Sequence, residues 1–376
     1  MVKKNIFNAI ALLSGTAIGA GFLGLPYVAA RSGFLIALFY LILIGAFVLF
    51  VQLCMGEVVL RTRGNHHFAG YAKTYMGKNA RRIVFTSVIL YIFSALVAYL
   101  VAGGQSLSFF IFGNQDLALW TTLALWFFLS CLTFVGLRAL KHFGKIGFLL
   151  IILFVISITF LFIGNVSLDN LNYINLNEVF LPVGVVLFAF FSFAALPAAE
   201  RLLLGREDLL KKAIIWGSII PFIVYLVFTF VIVGNFGNKV SEIATLSLGK
   251  NFAIFGVVVL FTSFISMSIS MRDLLRFDFK INRAKAWIIC AFVPLFAFLV
   301  IYFFELAGFI EILSLAGIIA GGITGIFILF LNLEAKEKGK RKPEYVVPLN
   351  FKVVFALTAI FIMGIVFELL RRFLWS

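Results

Sequence analysis

The sequence predicts an all-α polytopic membrane protein with eleven transmembrane helices, arranged as a five-plus-five inverted repeat and one extra C-terminal helix. Composition, the number of apolar stretches and the placement of basic residues lead to this prediction. Of the 376 residues, 63% are hydrophobic and 12% are charged. A soluble domain carries about 45–50% apolar and about 25% charged residues. The composition therefore indicates a chain whose surroundings are mostly lipid.

Apolar stretches of about 20 residues are long enough to cross a bilayer as helices. By that criterion the chain has eleven predicted spans: 6–30, 33–58, 83–112, 117–137, 142–164, 179–203, 212–236, 251–272, 285–306, 309–333 and 350–370. The stretch 61–82 is too polar to span. Its apolar residues Phe68, Tyr71, Tyr75 and Met76 recur at helical spacing, which predicts an amphipathic helix on the membrane face.

The basic residues predict the orientation of the chain, because cytoplasmic loops of membrane proteins are rich in Lys and Arg. With a cytoplasmic N-terminus, 26 of the 31 Lys and Arg residues fall in cytoplasmic segments and 5 fall outside. One miscounted span would invert every later loop and destroy this bias. We therefore predict a multi-pass protein of the cell membrane with an extracytoplasmic C-terminus. The net charge of +15 is a topology signal, and no nucleic-acid partner is expected.

Metal and disulfide chemistry are not indicated by the sequence. Cys54, Cys131 and Cys290 all lie within apolar spans, which is typical of small buried hydrophobic residues. His66 and His67 have no companion ligands at metal-binding spacing. We expect no cofactor and no metal other than a coupling sodium ion.

Two predicted spans contain helix breaks. Residues 15–26 of the first span hold four glycines and Pro26, and residues 190–197 of the sixth end in Leu196-Pro197. Backbone groups freed at membrane depth are tolerated where they line a cavity or meet a ligand. Breaks at corresponding places in spans 1–5 and 6–10 predict an inverted repeat around a central site. We therefore predict one transporter domain, residues 1–376. It consists of a first repeat (6–164), a second repeat (179–333) and an extra helix (350–370).

The glycines of the tenth span are regularly spaced and do not indicate a helix break. Gly317, Gly321 and Gly325 are spaced four apart on one helix face. This spacing predicts close packing against a neighbouring helix.

The chemistry of the first break suits a zwitterion. A half-helix that starts near Gly21 presents unpaired amides and the positive end of its dipole to a carboxylate. Carbonyls that we expect to be free around Ala17, Ile18 and Phe190 suit an ammonium group or a cation. No Asp, Glu, Lys, Arg or His lies near the middle of any span, so neither a catalytic site nor a carboxylate proton relay is indicated. We do not expect an enzyme.

Four segments resemble the amino acid/auxin permease family, and more narrowly its prokaryotic hydroxy and aromatic amino acid permeases. They are GTAIGAGFLGLPYVAARSGF (15–34), Glu57, HHFAGYAKTYMG (66–77) and FAFFSFAALPAAE (188–200). The first is the most specific, and the resemblance covers essentially the whole chain. It implies the leucine-transporter-type five-plus-five fold, with substrate between helices 1, 3, 6, 8 and 10.

The resemblance also implies site residues. The implied substrate-binding residues are Thr16, Ala17, Gly19, Ala20, Gly21, Ser94, Tyr99, Ala189, Phe190 and Ser192. The residues that match a sodium site are Gly15, Ile18, Thr262 and Ser263. For Ser94 and Tyr99 the alternative is a core residue bonded to a neighbouring helix.

The coupling ion is left open between Na⁺ and H⁺. Phe22 stands where a second sodium site of some relatives needs Asn, so that site is not expected. Ile151 stands where some proton-coupled relatives place Lys, which favours sodium, although the subfamily that the chain resembles is largely linked with protons. Glu57 and Glu200 are inner-gate candidates. The alternative for both is an interfacial salt bridge beside Arg61 and Arg201.

The expected function is ion-coupled secondary transport of neutral amino acids, aromatic and hydroxy amino acids among them, by alternating access between helices 1 and 6. The alternatives are a membrane amino-acid sensor without transport and an ion channel of the same fold. The short N-terminal tail argues against a sensor, and the lack of pore-lining charge argues against a channel. The expected partners are the substrate and the lipid bilayer; a monomer is compatible with the sequence.

The predicted topology is testable by cysteine labelling in a background without Cys54, Cys131 and Cys290. A membrane-impermeant maleimide should label Asn114→Cys in intact cells and Lys338→Cys only after permeabilisation. Labelling of position 338 in intact cells would contradict the assignment.

Overall fold

The structure, a computed structural model, describes residues 2–64, 66–135 and 137–374, and the regular elements among these residues are all helical. Gly136, near the end of the predicted fourth span, lies outside the described residues, as do the side chains of Lys3, Lys4, Arg138, Lys141, Lys145, Arg371 and Arg372. The α-helices in chain order are α1 (Val2–Ala17), α2 (Ala20–Ser32), α3 (Phe34–Arg61), α4 (Phe68–Met76), α5 (Lys78–Phe112), α6 (Ala118–Val135), α7 (Leu137–Phe162), α8 (Leu168–Asn172), α9 (Leu181–Phe190), α10 (Leu196–Leu202), α11 (Leu210–Phe236), α12 (Ala244–Ser247), α13 (Lys250–Phe279), α14 (Arg283–Phe304), α15 (Phe309–Leu315), α16 (Gly322–Lys338) and α17 (Phe351–Leu374).

The helices confirm a multi-span membrane protein. Within the described ranges, eight helical stretches are long and apolar enough to cross a bilayer, and the bent pair α1–α2 makes nine. The predicted fourth and eleventh spans coincide with the shorter apolar stretches Ala118–Phe134 and Phe351–Gly364. The count of eleven therefore stays a prediction. Helix α4 occupies the predicted amphipathic segment.

Both predicted breaks are present. Helices α1 and α2 meet at an angle of 50°, because Gly19 has a non-helical conformation and its amide bonds the Ala17 carbonyl at 2.8 Å. In the sixth span, α9 ends at Phe190 and Phe191 is extended. Pro197 lies in the first turn of α10, where its missing amide costs no hydrogen bond. A π-helical segment, Ala316–Gly321, also interrupts the tenth span, which the sequence did not lead us to expect.

The packing of the spans repeats after five positions. Helix α1 contacts α10 and α2 contacts α9, so the two broken spans lie antiparallel. The first span packs on the seventh (α1 on α11) as the sixth packs on the second (α9 on α3). The fifth packs on the eighth (α7 on α13) as the tenth packs on the third (α15 on α5). Each contact between a span of one half and a span of the other half thus recurs between the two corresponding spans, as an inverted repeat requires. The repeat limits 6–164 and 179–333 and the single domain stay predictions.

Glycines let the tenth span approach its neighbours closely. A Cβ on Gly317 would collide with the Gly184 carbonyl of α9, and one on Gly321 would lie 2.9 Å from the Phe191 ring. On Gly325 it would lie 2.5 Å from Phe361 of α17. The predicted packing role of these glycines is confirmed.

Residues 339–350, which we call the strap, join α16 to α17 without regular secondary structure and run along the C-terminal end of α3. The Tyr345 hydroxyl donates to the Leu53 carbonyl at 2.8 Å, and the Arg341 guanidinium donates to the Leu60 carbonyl at 3.2 Å. Lys336 of α16 donates to the Val347 carbonyl at 2.6 Å. These bonds hold the strap against α3 and α16.

Glu57 is the buried centre of this contact, with a side chain that is 0% exposed. Its carboxylate accepts hydrogen bonds from Arg61 at 2.8 Å, from the Asn332 amide group at 3.1 Å and from the Val347 backbone amide at 2.8 Å. The salt bridge with Arg61 is therefore confirmed. Glu57 ties α3, α16 and the strap together, and its role as an inner gate stays a prediction.

We expect Glu57→Gln to lower the thermal unfolding temperature of the purified protein, because every group that faces the carboxylate is a donor and an amide nitrogen would oppose one of them. The loss of a charged hydrogen bond costs about 1.5–3 kcal/mol. Trypsin should also cleave the strap faster after Lys340 and Arg341. Glu344→Gln, which removes a strap carboxylate that is 25% exposed and pairs with Arg341, is the matched control. Equal stability of the two variants would contradict an anchoring role for Glu57.

Candidate functional site

The break in the first span exposes backbone donors. Helix α2 begins at Ala20 with no side-chain cap, and the amides of Ala20 and Gly21 have no hydrogen-bond partner among the described residues. Unpaired amides at a helix start attract negative charge. The start of α2, which we predicted to bind a carboxylate, therefore has backbone donors for one.

Gly19 lies where three spans meet. A Cβ there would be 2.8 Å from the Tyr99 hydroxyl of α5 and 3.1 Å from the Ser263 hydroxyl of α13. Tyr99 is 1% exposed, and within the described part of the chain its hydroxyl has no hydrogen-bond partner. The structure therefore brings predicted substrate and ion residues together around Gly19. Ser94 is partly exposed and points about 140° away from Tyr99 around α5.

The break in the sixth span is supported by side chains from three other spans. The Tyr91 hydroxyl donates to the Phe188 and Phe191 carbonyls at 3.2 and 3.0 Å. The Tyr225 hydroxyl donates to the Ala189 carbonyl at 2.8 Å. All five residues are buried, so these bonds replace the helical bonds that the break removes.

Gln52 of α3 completes this support. Its amide nitrogen donates to the Phe190 carbonyl at 2.9 Å, and its amide oxygen accepts a bond from the Ser192 hydroxyl at 3.1 Å. The expectation that the Phe190 carbonyl is free was wrong, because a side chain 138 residues away bonds it. A carbonyl has a second lone pair, so Phe190 can still accept a ligand proton. The sequence did offer a signal: Gln52, Tyr91 and Tyr225 are polar groups inside apolar spans.

At the first break, too, carbonyls that we expected to be free are hydrogen-bonded. The Ile18 carbonyl accepts a hydrogen bond from Ser263 at 3.2 Å, and the Ala17 carbonyl accepts the Gly19 amide. Both carbonyls were expected to be free. The Gly15 carbonyl has no partner among the described residues. The contact between Ile18 and Ser263 joins two of the four predicted ion ligands.

Thr262 points towards the fifth span. Its hydroxyl donates to the Val259 carbonyl of its own helix at 3.0 Å, and its methyl group fills the space where Gly147 of α7 lacks a side chain. The residue of the fifth span that faces Thr262 is therefore Gly147, one turn before Ile151. Gly147 carries no charge. The resemblance had implied that Ile151, four residues later, stands at the place where some proton-coupled relatives have Lys.

Two other predicted substrate residues make structural contacts. A Cβ on Gly21 would lie 2.6 Å from the Ala189 Cα, so Gly21 allows α2 and α9 to touch. Thr16 donates to the Leu12 carbonyl at 2.8 Å and bonds the Ser266 hydroxyl at 2.9 Å. The missing side chain at Gly21 thus serves the contact between the two broken spans, while its amide still lies at the break.

The end of the bundle that carries α4 holds an ion pair that the sequence did not single out. Arg201 of α10 lies 3.6 Å from Asp273 of α13, so Arg201 pairs with Asp273 instead of the neighbouring Glu200. Asp273 was missed because the predicted eighth span ended at 272, whereas α13 continues to Phe279. The gate candidate Glu200 is partly buried on α10, and its role stays a prediction.

Helix α4 is fixed next to this pair. Asp278 of α13 accepts hydrogen bonds from the backbone amides of His67 and Gly70 at 3.1 and 2.8 Å. The Phe68 ring lies 5.2 Å from the Phe193 ring at the sixth-span break. Burial and the nearby Arg201 charge lower the pKa of His67 to about 3, so its imidazole is neutral. Helix α4 therefore links the C-terminal end of α13 to the sixth-span break.

Comparison with known proteins agrees with this architecture. The tryptophan/tyrosine permease family profile matches residues 2–248 and 240–369. The tyrosine-specific transport system 2 of Haemophilus influenzae is 25% identical, with 98% of this chain and 97% of the relative covered. The glutamine transporter 2 of Aliivibrio fischeri is 24% identical, with 77% and 80% covered.

The fold is also that of a solved transporter. Mhp1, a nucleobase-cation-symport-1 family transporter determined in a closed conformation with bromovinylhydantoin bound, superposes with a TM-score of 0.58. The alignment covers 86% of this chain and 77% of Mhp1 at 15% identity. The family resemblance and the fold class expected from the sequence are confirmed. The chain belongs to the tryptophan/tyrosine permease family and is a multi-pass membrane transporter, not an enzyme.

Proposed function

We propose that this protein is an ion-coupled secondary transporter of neutral amino acids, and that the substrate binds between the break of α1–α2 and the break of α9–α10. Its relatives are named for tyrosine and for glutamine, which share an α-carboxylate and an α-ammonium group. Alternating access would move these two broken spans relative to α5 and α13.

The observation that carries the proposal is the Tyr99 hydroxyl beside Gly19, next to the amides of Ala20 and Gly21, which have no hydrogen-bond partner among the described residues. A substrate carboxylate would accept from all three donors at once. The ammonium group would bond the second lone pairs of carbonyls at the sixth-span break, such as that of Phe190.

The side-chain end of the site favours an apolar or aromatic substrate over glutamine. Tyr91 packs against the rings of Phe188 and Phe193 at 5.4 and 5.3 Å, and Phe190 packs against Tyr225 at 5.2 Å. The polar groups beside these rings already bond the break itself. A glutamine side chain would therefore find rings instead of hydrogen-bond partners, whereas an aromatic ring would stack.

Uptake of a labelled amino-acid panel into proteoliposomes tests the substrate. We expect aromatic amino acids to be taken up, and an amino-acid amide, which lacks the carboxylate, to bind poorly.

Tyr99→Phe should weaken substrate binding about ten- to a hundredfold, since a hydrogen bond to a charged group contributes about 1.5–3 kcal/mol. Tyr302→Phe, at an exposed position of α14, is the control. Equal binding of acid and amide would overturn the carboxylate model. Binding without uptake would favour the sensor, and flux without saturation the channel.

For the coupling ion we propose sodium, held by the carbonyls of Gly15 and Ile18 and the hydroxyls of Ser263 and Thr262. All four groups are oxygen donors, as a hard cation requires. Ser263 and Ile18 are already in contact. Thr262 would have to rotate its hydroxyl away from the Val259 carbonyl. Gly147, the described residue of α7 against which Thr262 packs, carries no charge that would compete for the place.

Sodium and proton gradients imposed separately test the ion. We expect a sodium gradient to drive uptake, and both Ser263→Ala and Thr262→Ala to abolish this stimulation while the protein still folds. Ser266→Ala is the matched control, because Ser266 lies on the same helix but bonds Thr16. Uptake driven by a proton gradient alone, or sodium stimulation that survives the Ser263 change, would rule the site out.

A further inference from the structure

Arg272 of α13 is a buried cation with few partners. It is 4% exposed, and its guanidinium donates to the Thr133 carbonyl of α6 at 2.8 Å. Its Nε has no hydrogen-bond partner in the described part of the chain. A buried charge is costly unless it is paired and hydrogen-bonded, so Arg272 needs a further acceptor.

The nearby carboxylate is engaged elsewhere. Asp273 lies 3.6 Å from Arg201 of α10, and among the described side chains no carboxylate lies within ion-pair distance of Arg272. Arg276 and Arg283 add positive charge to its surroundings, and Asp273 adds negative charge. The region around Arg272 therefore carries a net positive charge.

Two buried hydroxyls lie on the same pair of helices without partners. Ser268, one turn before Arg272 on α13, is 2% exposed, and its Oγ is unpaired among the described residues. Residues four apart share a helix face, so Ser268 lies on the Arg272 side of α13. Ser130, one turn before Thr133 on α6, is 4% exposed and its Oγ is also unpaired there. Helices α6 and α13 pack on each other, and each serine lies one turn from the bond between Arg272 and Thr133. Three donors near this bond, the Arg272 Nε and the two hydroxyls, thus have no partner among the described residues.

We propose that Arg272, Ser268 and Ser130 form a binding site for one small anion of chloride size between α6 and α13. A water molecule would accept the Nε bond but leave the guanidinium charge uncompensated, whereas an anion satisfies both needs. Tight burial of all three side chains favours a monatomic ion over a phosphate or carboxylate. The site is separate from the break around Gly19, and the proposal does not depend on the transported substrate.

Anion-dependent thermal unfolding of the purified full-length protein tests the site. Chloride or bromide is titrated into sodium gluconate buffer at constant sodium concentration and ionic strength. We expect a saturable rise in the unfolding temperature for the wild-type protein. Ser268→Ala should raise the midpoint anion concentration about tenfold, because it removes one of the proposed donors, and Arg272→Gln should abolish the response.

Arg206→Gln is the control, since Arg206 is exposed and pairs with Asp208; its response should equal that of the wild type. If Arg272→Gln does not fold, the Ser268→Ala midpoint decides. A wild-type protein without saturable anion dependence would overturn the proposal in favour of bridging water. The same response in Ser268→Ala and wild type would overturn it as well.

Discussion

The structure depends on how the backbone freed at the sixth-span break is hydrogen-bonded. In a membrane interior, an unsatisfied carbonyl costs several kcal/mol. Four consecutive carbonyls, Phe188 to Phe191, therefore receive donors from Gln52, Tyr91 and Tyr225. These donors come from the second, third and seventh spans. The break is consequently a rigid feature of the assembled bundle and not a flexible weak point in one helix.

The two broken spans differ in how they are satisfied. The sixth-span carbonyls are bonded by side chains, whereas at the first break the amides of Ala20 and Gly21 and the carbonyl of Gly15 have no partner among the residues that the structure describes. Glycine explains part of this difference: at Gly19 the missing side chain leaves room for the hydroxyls of Tyr99 and Ser263. We therefore expect the first span to provide the backbone groups that bind a ligand, and the sixth span to form a side of the site that is already hydrogen-bonded.

The end of the bundle that carries α4 and the strap contains two kinds of connection. The strap holds α3 to α16 through a fully buried carboxylate with three bonding partners. The contact between Arg201 and Asp273 is a single, longer pair that is partly exposed to solvent. Buried, multiply bonded charges are costly to separate, and partly exposed pairs contribute little. If this end of the bundle opens during transport, the link between α10 and α13 is the weaker of the two.

The sequence by itself determined the membrane class, the positions of most spans and both breaks, because apolar length and Gly or Pro content act through local backbone physics. It also determined the packing role of Gly317, Gly321 and Gly325. The tertiary structure decided which backbone groups remain free, since Gln52 and Ser263 reach carbonyls 138 and 245 residues away. It likewise decided that Gly21 contacts Ala189, that Gly147 faces Thr262 and that Asp273 pairs with Arg201. Such partners are set by the rotation and depth of each helix against its neighbours, which the hydrophobic pattern of a single span does not specify.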